Sequence, residues 1–331
     1  MSRVLSRLSG LVLMAVLSLA VAISSGQAEN LKVALLLSGP ANDGGWNAVA
    51  VKGLEDAEKK YGIETAYTEH VSVADSEAAF TDYAAQGYDL IIGHGFQFGD
   101  PAVRVGKKFP EVKFVAIESN ASSENTASFR MAIEQTGYLM GILSASMSKS
   151  GIIGIVGGME VPSIVKAMEA YKLGAKAYRP DVKVLESYLG TFTDVAKGKE
   201  AAMAMIDQNA DVLTHVANQA GTGVIKAAES KGVLATGDSW DQSSIAPDTI
   251  VCSTIYNVPA LVVNIVQLVK DGKFKGGVFD QGMKDGVVDL SPYHAFEDKI
   301  PQDAKDTIAE LKKKMIDGSF VAPLIEKRTS N

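Results

Sequence analysis

The 331-residue chain is predicted to adopt an α/β fold of two lobes, each built on a parallel sheet. Short runs of Val, Ile, Leu and Ala alternate with segments of helical periodicity. These runs are continuous rather than alternating in polarity, which is typical of strands buried on both faces. Strand and helix in repetition indicate parallel strands joined by right-handed crossovers. The alternating series of strands and helices begins again at Gly151. A mature chain of about 300 residues is also longer than a single hydrophobic core usually stabilises, so two lobes are expected.

Eight apolar runs supply the predicted strands. In chain order they occupy 31–37, 88–94, 112–119, 151–158, 181–190, 211–218, 232–238 and 249–255. Helical periodicity predicts helices at 46–61, 76–86, 133–148, 162–178, 196–209, 223–231, 257–270 and 302–317. We expect the segment 277–293, which lies between the last two helices, to return the chain across the gap between the lobes. The lobe boundary is placed near residue 146, before the second strand series.

The first 28 residues have the three-part pattern of an export signal. Arg3 and Arg7 form its basic region, and the apolar stretch at 11–23 is short for a membrane span. Small residues then precede a predicted cleavage site after Ala28. An uncleaved anchor is the alternative. No second apolar stretch reaches about 18 residues, so the mature chain is predicted to be soluble and periplasmic.

The chain has a single cysteine, Cys252, inside the apolar run at 249–255. It has no partner for an intramolecular disulfide. No cysteine stands near the end of the export signal, where a lipoprotein carries its acyl chains. Cys252 also has no cysteine or histidine near it in the sequence with which to share a metal. We therefore expect a freely diffusing protein with no lipid anchor, no metal and no cofactor.

The charge balance disfavours nucleic acid as a partner. Without Arg3 and Arg7 the chain carries 30 basic and 39 acidic residues, a net charge of about −9. The sequence contains neither a basic stripe nor aromatic residues interleaved with lysines. Binding to a phosphate backbone would therefore lack its main driving force.

Ligands of open parallel sheets collect beyond the carboxyl ends of the strands, so the loops there hold the candidate binding residues. Those loops combine aromatic rings with amide and carboxylate groups. The candidates are Asp43, Trp46, Asn47, His94, Phe96 and Glu118 in the first half, and Phe192, Asn218, Asp238 and Trp240 in the second. A cleft lined in this way suits a planar, polar molecule that is uncharged or weakly basic.

Some candidates have a purely structural alternative. His94 could be a hydrogen-bonded core histidine, and Glu118 could cap the segment that follows it. Phe192 could belong to the core of the second lobe. The two tryptophans, Trp46 and Trp240, follow strands in polar turns, where an indole usually caps a core or stacks on a planar ligand. For Trp46 we favour stacking on a ligand.

Several stretches resemble the basic membrane protein family of ABC-transporter substrate-binding proteins, in its purine nucleoside receptor group. NDGGWN is similar to that family's D-x-S-F-N loop, with Trp46 where the phenylalanine stands, and IIGHGFQFGD resembles its G-x-G-F element. Further similar stretches are VGGMEVPSI, GTFTDVAKGKEAA, DQNADVLTHVANQAGTGVIKAA, GDSWDQSSIAPDTIVCS and GMKDGVVDLS. They occur in the family's order and span essentially the whole mature chain.

The resemblance implies a type I periplasmic-binding-protein fold, in which two Rossmann-like lobes are joined by three crossings and close on a ligand. The first lobe would comprise 29–145 plus about 257–288, and the second 146–256 plus about 289–331. In the family the loop aromatic stacks on the purine and the adjacent asparagine binds its edge, roles that map onto Trp46 and Asn47. Lys284 resembles a family lysine near the sugar, with a solvated turn lysine as the alternative.

One position departs from the family pattern. An aspartate before a D-Q pair holds the ribose hydroxyls in the family, but aligning that pair on Asp241 and Gln242 puts Ser239 there, between Asp238 and Trp240. Serine cannot grip a vicinal diol as a bidentate carboxylate does. We therefore favour a free purine base, such as adenine or hypoxanthine, over a nucleoside. A one-residue slip that returns the ribose role to Asp238 is the alternative.

The predicted function is capture of a purine between the lobes by a monomeric, non-enzymatic protein that delivers it to an ABC permease in the inner membrane. An enzyme like the nucleoside hydrolases is disfavoured because Asp238 and Asp241 lack further neighbouring carboxylates for a metal cluster. A sugar-binding protein of the same fold is the other alternative. Sugar pockets usually add arginine, which is scarce in the candidate loops, Arg104 and Arg130 being the exceptions.

Overall fold

The computed structural model describes residues 30–328 of the chain. The predicted signal peptide, residues 1–28, lies outside the described residues. From residue 30 to residue 328, no helix is both long and apolar enough to cross a membrane. The described chain has the α/β fold that the sequence predicts, with strands gathered in two six-stranded sheets.

Strands and helices alternate through most of the described chain. The strands are β1 (Lys32–Leu37), β2 (Glu64–Thr68), β3 (Leu90–His94), β4 (Lys113–Ile117), β5 (Thr126–Met131), β6 (Ile152–Gly157), β7 (Lys183–Tyr188), β8 (Val212–Val216), β9 (Leu234–Gly237), β10 (Ile250–Tyr256), β11 (Gly277–Gln281) and β12 (Val288–Leu290). The helices are α1 (Trp46–Tyr61), α2 (Ser76–Ala85), α3 (Gly99–Gly106), α4 (Ile133–Met147), α5 (Pro162–Tyr178), α6 (Val195–Ile206), α7 (Gly221–Lys231), α8 (Val258–Lys270) and α9 (Gln302–Asp317).

The first sheet has the strand order β11-β5-β4-β3-β1-β2, and all its neighbouring strands run parallel. The second has the order β12-β10-β9-β8-β6-β7. It is parallel except at one edge, where the short strand β12 pairs antiparallel with β10. The sequence predicted parallel sheets and did not foresee this antiparallel edge.

The central strands are buried on both faces, as their continuous apolar runs predict. In β1, Leu35 and Leu36 are both fully buried but belong to separate apolar clusters, because successive side chains point to opposite faces of a sheet. Ile92 and Ile91 of β3 divide between the same two clusters. Each sheet is therefore covered by helices on both sides, which leaves the strand ends as the exposed edges of the lobe.

Within the described chain the backbone passes between the sheets three times, after β5, after β10 and between β11 and β12. α4 packs against α5 and the second sheet, so the helix that precedes the predicted boundary near residue 146 lies with the second sheet. α8 packs against α1 on the first sheet. Gly53 makes that approach possible, because a Cβ there would lie 2.8 Å from the Cα of Pro259.

Candidate functional site: a cleft at the strand ends

A cavity of about 410 Å³ lies where the carboxyl ends of the strands of both sheets meet. Each residue that lines it ends a strand or belongs to the loop or helix start that follows one. The aromatic lining residues are Trp46, Phe96, Phe192 and Tyr256, and the aliphatic ones are Val73, Met131, Ile133, Met159, Val161, Ile164 and Val216. The polar ones are Ser38, Asn47, Gln97, Glu118, Ser163, Thr191, Thr193, Asn218, Asp238 and Ser239, with Gly39, Gly95 and Gly190 completing the wall.

The loop after β1 is organised around the carboxylate of Asp43. One oxygen accepts hydrogen bonds from the backbone N–H groups of Gly45 and Ala48, at 2.9 and 3.0 Å. The other accepts from the backbone N–H of Asn47 at 3.0 Å and from its Nδ2 at 2.8 Å. These bonds satisfy N–H groups at the start of α1 that have no partner within the helix. Asp43 is buried outside the cavity lining, where it shapes the loop that carries Trp46 and Asn47.

Asn47 lines the cavity and has an unpaired acceptor in its side chain. Its side chain is only 1% exposed, and its Nδ2 is committed to Asp43. The Oδ1 atom is therefore directed away from that carboxylate, and it is buried without a hydrogen-bond partner. A buried acceptor left in this state costs about 1–3 kcal/mol, so a ligand that donates an N–H or O–H to it gains an equivalent advantage.

The indole of Trp46 is supported from behind by His94. The two rings stack, and Nε2 of His94 donates to the backbone carbonyl of Trp46 at 2.9 Å. His94 is fully buried, and burial lowers its pKa to about 4, although the Trp46 carbonyl and the Asp43 carboxylate oppose that shift. The imidazole is therefore neutral at pH 7, with its proton on Nε2. His94 does not line the cavity but fixes the ring that does.

A network of buried charged side chains lies beside the cavity, near the crossing that follows β5. Glu118 follows β4 and has a left-handed backbone conformation (φ 61°). Its carboxylate accepts a hydrogen bond from the backbone N–H of Met131. Its other oxygen lies 3.2 Å from the ammonium of Lys166, on α5 of the second lobe. Lys166 also donates to the Met131 carbonyl at 2.7 Å and lies 3.9 Å from Glu134. Burial raises the pKa of Glu134, against the attraction of Lys166.

The second lobe contributes the carboxylate of Asp238. It accepts hydrogen bonds from Thr254 Oγ1 at 2.9 Å and from Ser239 Oγ at 3.0 Å, and it is 4% exposed. Ser239 lies beside it in a left-handed conformation (φ 70°). Burial, reinforced by the negative charge of Asp238, raises the pKa of Tyr256 well above its usual value of 10, so its hydroxyl stays protonated. Carboxylate and hydroxyl groups thus lie together on this wall.

The structure brings most of the sequence-predicted residues together at one cavity. Seven of the eleven line it, namely Trp46, Asn47, Phe96, Glu118, Phe192, Asn218 and Asp238. Asp43 and His94 lie directly behind this lining. Trp240 is partly buried outside it, with an indole N–H that is buried and unpaired. Lys284 is exposed and borders a separate depression of about 280 Å³, which Arg130 and Glu134 also line.

Sequence reasoning missed several lining residues. Met131 ends β5, a strand that the search for continuous apolar runs missed, although its alternation of polar and apolar residues (TASFRM) could have revealed it. Tyr256 directly follows the predicted strand at 249–255, and the rule that ligands bind beyond strand ends could have found it. The same rule applies to Ser38 and Gly39 after β1, but small residues in a loop carry no chemical signature of their own.

Two lobes of parallel strands, joined by three crossings and facing each other across a cavity at their strand ends, define a solute-binding protein of the periplasmic type. A family model described as "ABC transporter substrate-binding protein PnrA-like" matches residues 30–323. The chain belongs to this family of ABC-transporter substrate-binding proteins.

Named relatives and solved structures agree with this membership. A purine-binding protein of Brucella abortus is 31% identical over 287 residues, which cover 86% of this chain and 81% of the relative. An ABC transporter nucleoside-binding protein of Lactococcus lactis is 31% identical over 325 residues, covering 91% of each. A solute-binding protein of an ABC transporter system from Aeropyrum pernix superposes with a TM-score of 0.82 at 25% identity, covering 89% of this chain and 94% of that one.

Proposed function

We propose that the chain is the periplasmic solute-binding component of an ABC importer and that its cavity captures a purine. A free base such as adenine or hypoxanthine is favoured over a nucleoside. The protein acts as a monomer, without catalysis, and delivers the ligand to a permease in the inner membrane. Membership of the substrate-binding family supports the transport role. Relatives named for purine and nucleoside binding support the ligand class.

The observation that carries the ligand class is the pairing of a flat aromatic face with an unpaired acceptor on adjacent residues. Trp46 is held by His94 and lines the cavity, and Asn47, which also lines it, has a buried Oδ1 without a partner. A planar heterocycle stacked on the indole can direct an edge N–H to that oxygen. The exocyclic amine of adenine and the ring N–H of hypoxanthine are donors of this kind, and a purine satisfies both features at once.

The charges around the cavity support an uncharged ligand. Among the residues that line it in the described chain, Glu118 and Asp238 are acidic and none is lysine or arginine. The ammonium of Lys166, which contacts the lining residue Glu118, is already bound by that carboxylate and by the Met131 carbonyl. A phosphate group would meet carboxylates rather than cations, so nucleotides are disfavoured as ligands.

The preference for a free base rests on Asp238 and Ser239. Each oxygen of Asp238 already accepts one hydroxyl hydrogen bond from the protein, from Thr254 and from Ser239. A ribose diol would have to share or displace these donors. The nucleoside remains the second candidate because Asp238 does line the cavity, where its carboxylate could accept sugar hydroxyls in addition.

Isothermal titration calorimetry on ligand-stripped mature protein tests this proposal. Adenine, hypoxanthine, adenosine, inosine, adenosine monophosphate, ribose and galactose are titrated in parallel. The proposal expects the free bases to bind most tightly and the monophosphate at least 100-fold more weakly. Tighter binding of adenosine and inosine than of the bases would move the ribose role to Asp238. Binding of sugars alone would overturn the purine assignment.

The predicted cellular location can be tested on the same expression culture. Export with cleavage after Ala28 and without a lipid anchor predicts that the protein is released with the periplasmic fraction. It also predicts an intact mass equal to that of residues 29–331. A mass that is larger by acyl chains, or recovery with the membranes, would contradict the predicted location.

A further inference from the structure

Asn218 joins the two lobes directly through its side chain. It follows β8 of the second lobe, and its carboxamide reaches the loop after β1 in the first lobe. Nδ2 of Asn218 donates to Asp43 Oδ2 at 2.9 Å, and Oδ1 accepts from the backbone N–H of Trp46 at 3.0 Å. One side chain therefore engages both the carboxylate that organises the loop and the residue whose ring faces the cavity.

The Trp46 bond matters because of where that N–H lies. Trp46 is the first residue of α1, and the N–H groups of a first turn have no acceptor within their own helix. Asp43 satisfies the N–H groups of Asn47 and Ala48, whereas that of Trp46 is satisfied from the opposite lobe. Separation of the lobes would leave this N–H to water.

Gly45 provides the space for this contact. A Cβ at position 45 would lie 2.5 Å from Asn218 Oδ1, well inside the distance that two such atoms tolerate. The backbone of Gly45 (φ −155°, ψ −121°) also lies outside the regions that residues with a Cβ readily adopt. The conformation of the turn and the approach of a side chain from the other lobe therefore both favour glycine at this position.

We propose that Asn218 is an interlobe clasp, a positioning residue whose two hydrogen bonds hold the lobes together with or without a ligand. This inference rests on the proposed function in one respect, since it takes the cavity between the lobes to be the ligand site. The clasp stabilises the closed form independently of the ligand's own contacts, and it holds the Trp46 loop in place over the bound molecule. Asn218 thus acts mainly on the rate at which a ligand leaves.

Three variants at this contact test the clasp. Asn218→Ala removes both bonds, and Asn218→Asp replaces the donor to Asp43 with a second carboxylate. Asn209→Asp is the matched control, because Asn209 is also left-handed (φ 67° against 49°), lies in the second lobe and is exposed. At neutral pH, stopped-flow release of adenine is expected to accelerate about tenfold in Asn218→Ala, and further in Asn218→Asp, with no change in Asn209→Asp. Equal release rates in all four proteins would overturn the clasp.

A second readout does not depend on the identity of the ligand. Hydrogen exchange of the Trp46 amide, measured by NMR on protein without added ligand, is expected to be several-fold slower in the wild type than in Asn218→Ala. Amides in the middle of α1 should exchange equally in both. An equal Trp46 rate in both proteins refutes the clasp even if adenine binds, whereas failure of adenine to bind the wild type refutes only the purine assignment.

The space at Gly45 gives a double-mutant test. Gly45→Ala should accelerate adenine release in the wild-type background, because the added methyl group collides with Asn218 Oδ1. In the Asn218→Ala background that atom is absent, so the same substitution should have a smaller effect, due to the backbone conformation of position 45 alone. Additive effects of the two substitutions would show that Gly45 acts through its own loop and would overturn the proposed contact.

Discussion

The indole of Trp46 lies against the imidazole of His94, with ring centroids 3.9 Å apart and ring planes inclined by 20°. The same imidazole donates a hydrogen bond to the Trp46 carbonyl, so one residue holds both the ring and the backbone of the other. An indole fixed in this way loses little conformational freedom when a planar ligand stacks on it, and such preorganisation favours affinity. His94, which the sequence predicted as a ligand contact, lies behind the indole that lines the cavity.

Replacing His94 should weaken binding without touching the cavity wall. His94→Ala leaves Trp46 without its stacking partner and without the bond to its carbonyl, so the indole gains freedom that ligand binding must remove. We expect the dissociation constant for adenine to rise about tenfold, equivalent to about 1.4 kcal/mol, as measured by calorimetry. His70→Asn, at an exposed left-handed position, is the control and should bind as the wild type does. Unchanged affinity in His94→Ala would contradict the supporting role.

His94 should also make stability depend on pH. Its pKa is lowered to about 4 in the folded protein, from about 6.5 in the unfolded chain. Between these values the unfolded chain binds the proton and the folded protein does not, so stability falls as the pH is lowered from about 6.5 to about 4. The loss due to this residue is roughly 3 kcal/mol.

The comparison protein for that measurement is His94→Gln, which cannot titrate but can still donate to the Trp46 carbonyl. His215 is also buried with a lowered pKa, so the wild type alone would not isolate His94. Urea unfolding at a series of pH values should show the wild type losing more stability than His94→Gln as the pH falls. Parallel curves would mean that His94 is not the group responsible.

The two tryptophans should differ sharply in their effect on binding. Trp46 lines the cavity and Trp240 does not, although both follow strands in similar polar turns. Trp46→Ala removes the stacking face, and we expect the dissociation constant for adenine to rise about 100-fold by calorimetry, in line with the size of aromatic contributions. Trp240→Phe should change it less than twofold. The reverse order would assign the stacking role to the second lobe.

The buried ion pair of Lys166 and Glu118 should stabilise the protein only when both charges are present. Their side chains are only 4% and 6% exposed, so removal of one leaves an uncompensated buried charge. Lys166→Met is expected to lower the free energy of unfolding by about 3–5 kcal/mol in urea denaturation. Lys52→Met, which breaks an exposed pair with Asp56, should cost less than about 1 kcal/mol.

Removing both charges of the pair tests whether the stability lost in Lys166→Met comes from the unpaired carboxylate of Glu118. The double variant Lys166→Met with Glu118→Gln contains no buried charge at this pair, so it should recover a large part of the lost stability. If the double variant is less stable than Lys166→Met alone, the carboxylate of Glu118 contributes through its hydrogen bond with Met131 rather than through the ion pair.

Seven of the eight strands that the sequence revealed are largely buried, and the exception is β7, a half-buried strand at the edge of the second sheet. β1 and β3 consist of unbroken apolar runs, and all eight predicted strands are present. β2, at the edge of the first sheet, has the sequence ETAYT and is largely exposed, so burial imposes no apolar pattern on it. β5 alternates polar and apolar residues (TASFRM), so it lacks the continuous apolar run by which the other strands were found. α3 is eight residues long with Pro101 in its first turn, too short for periodicity to emerge.

The position of the candidate site could be predicted because ligands of parallel sheets bind beyond the carboxyl ends of the strands. That rule needs only the order of strands and helices along the chain. It located the loops that carry Trp46, Asn47, Phe192 and Asp238 without any knowledge of distances. It could not separate the residues facing the cavity from those immediately behind them, such as Asp43 and His94. That distinction depends on side-chain direction within irregular loops, which no periodicity encodes. The contact of Asn218 with Asp43, 175 residues apart, likewise depends on how the two lobes meet.

In the proposed function, a purine stacks on the indole of Trp46 in the cavity. Fluorescence titration of the Trp240→Phe variant tests it most directly, because Trp46 is then the only tryptophan in the protein. Adenine, hypoxanthine, adenosine and galactose are added separately to ligand-stripped protein. Saturable quenching by adenine and hypoxanthine, with no response to galactose, is the predicted result. Unchanged fluorescence with every purine, or a response to galactose alone, would contradict the stacking of a purine on Trp46.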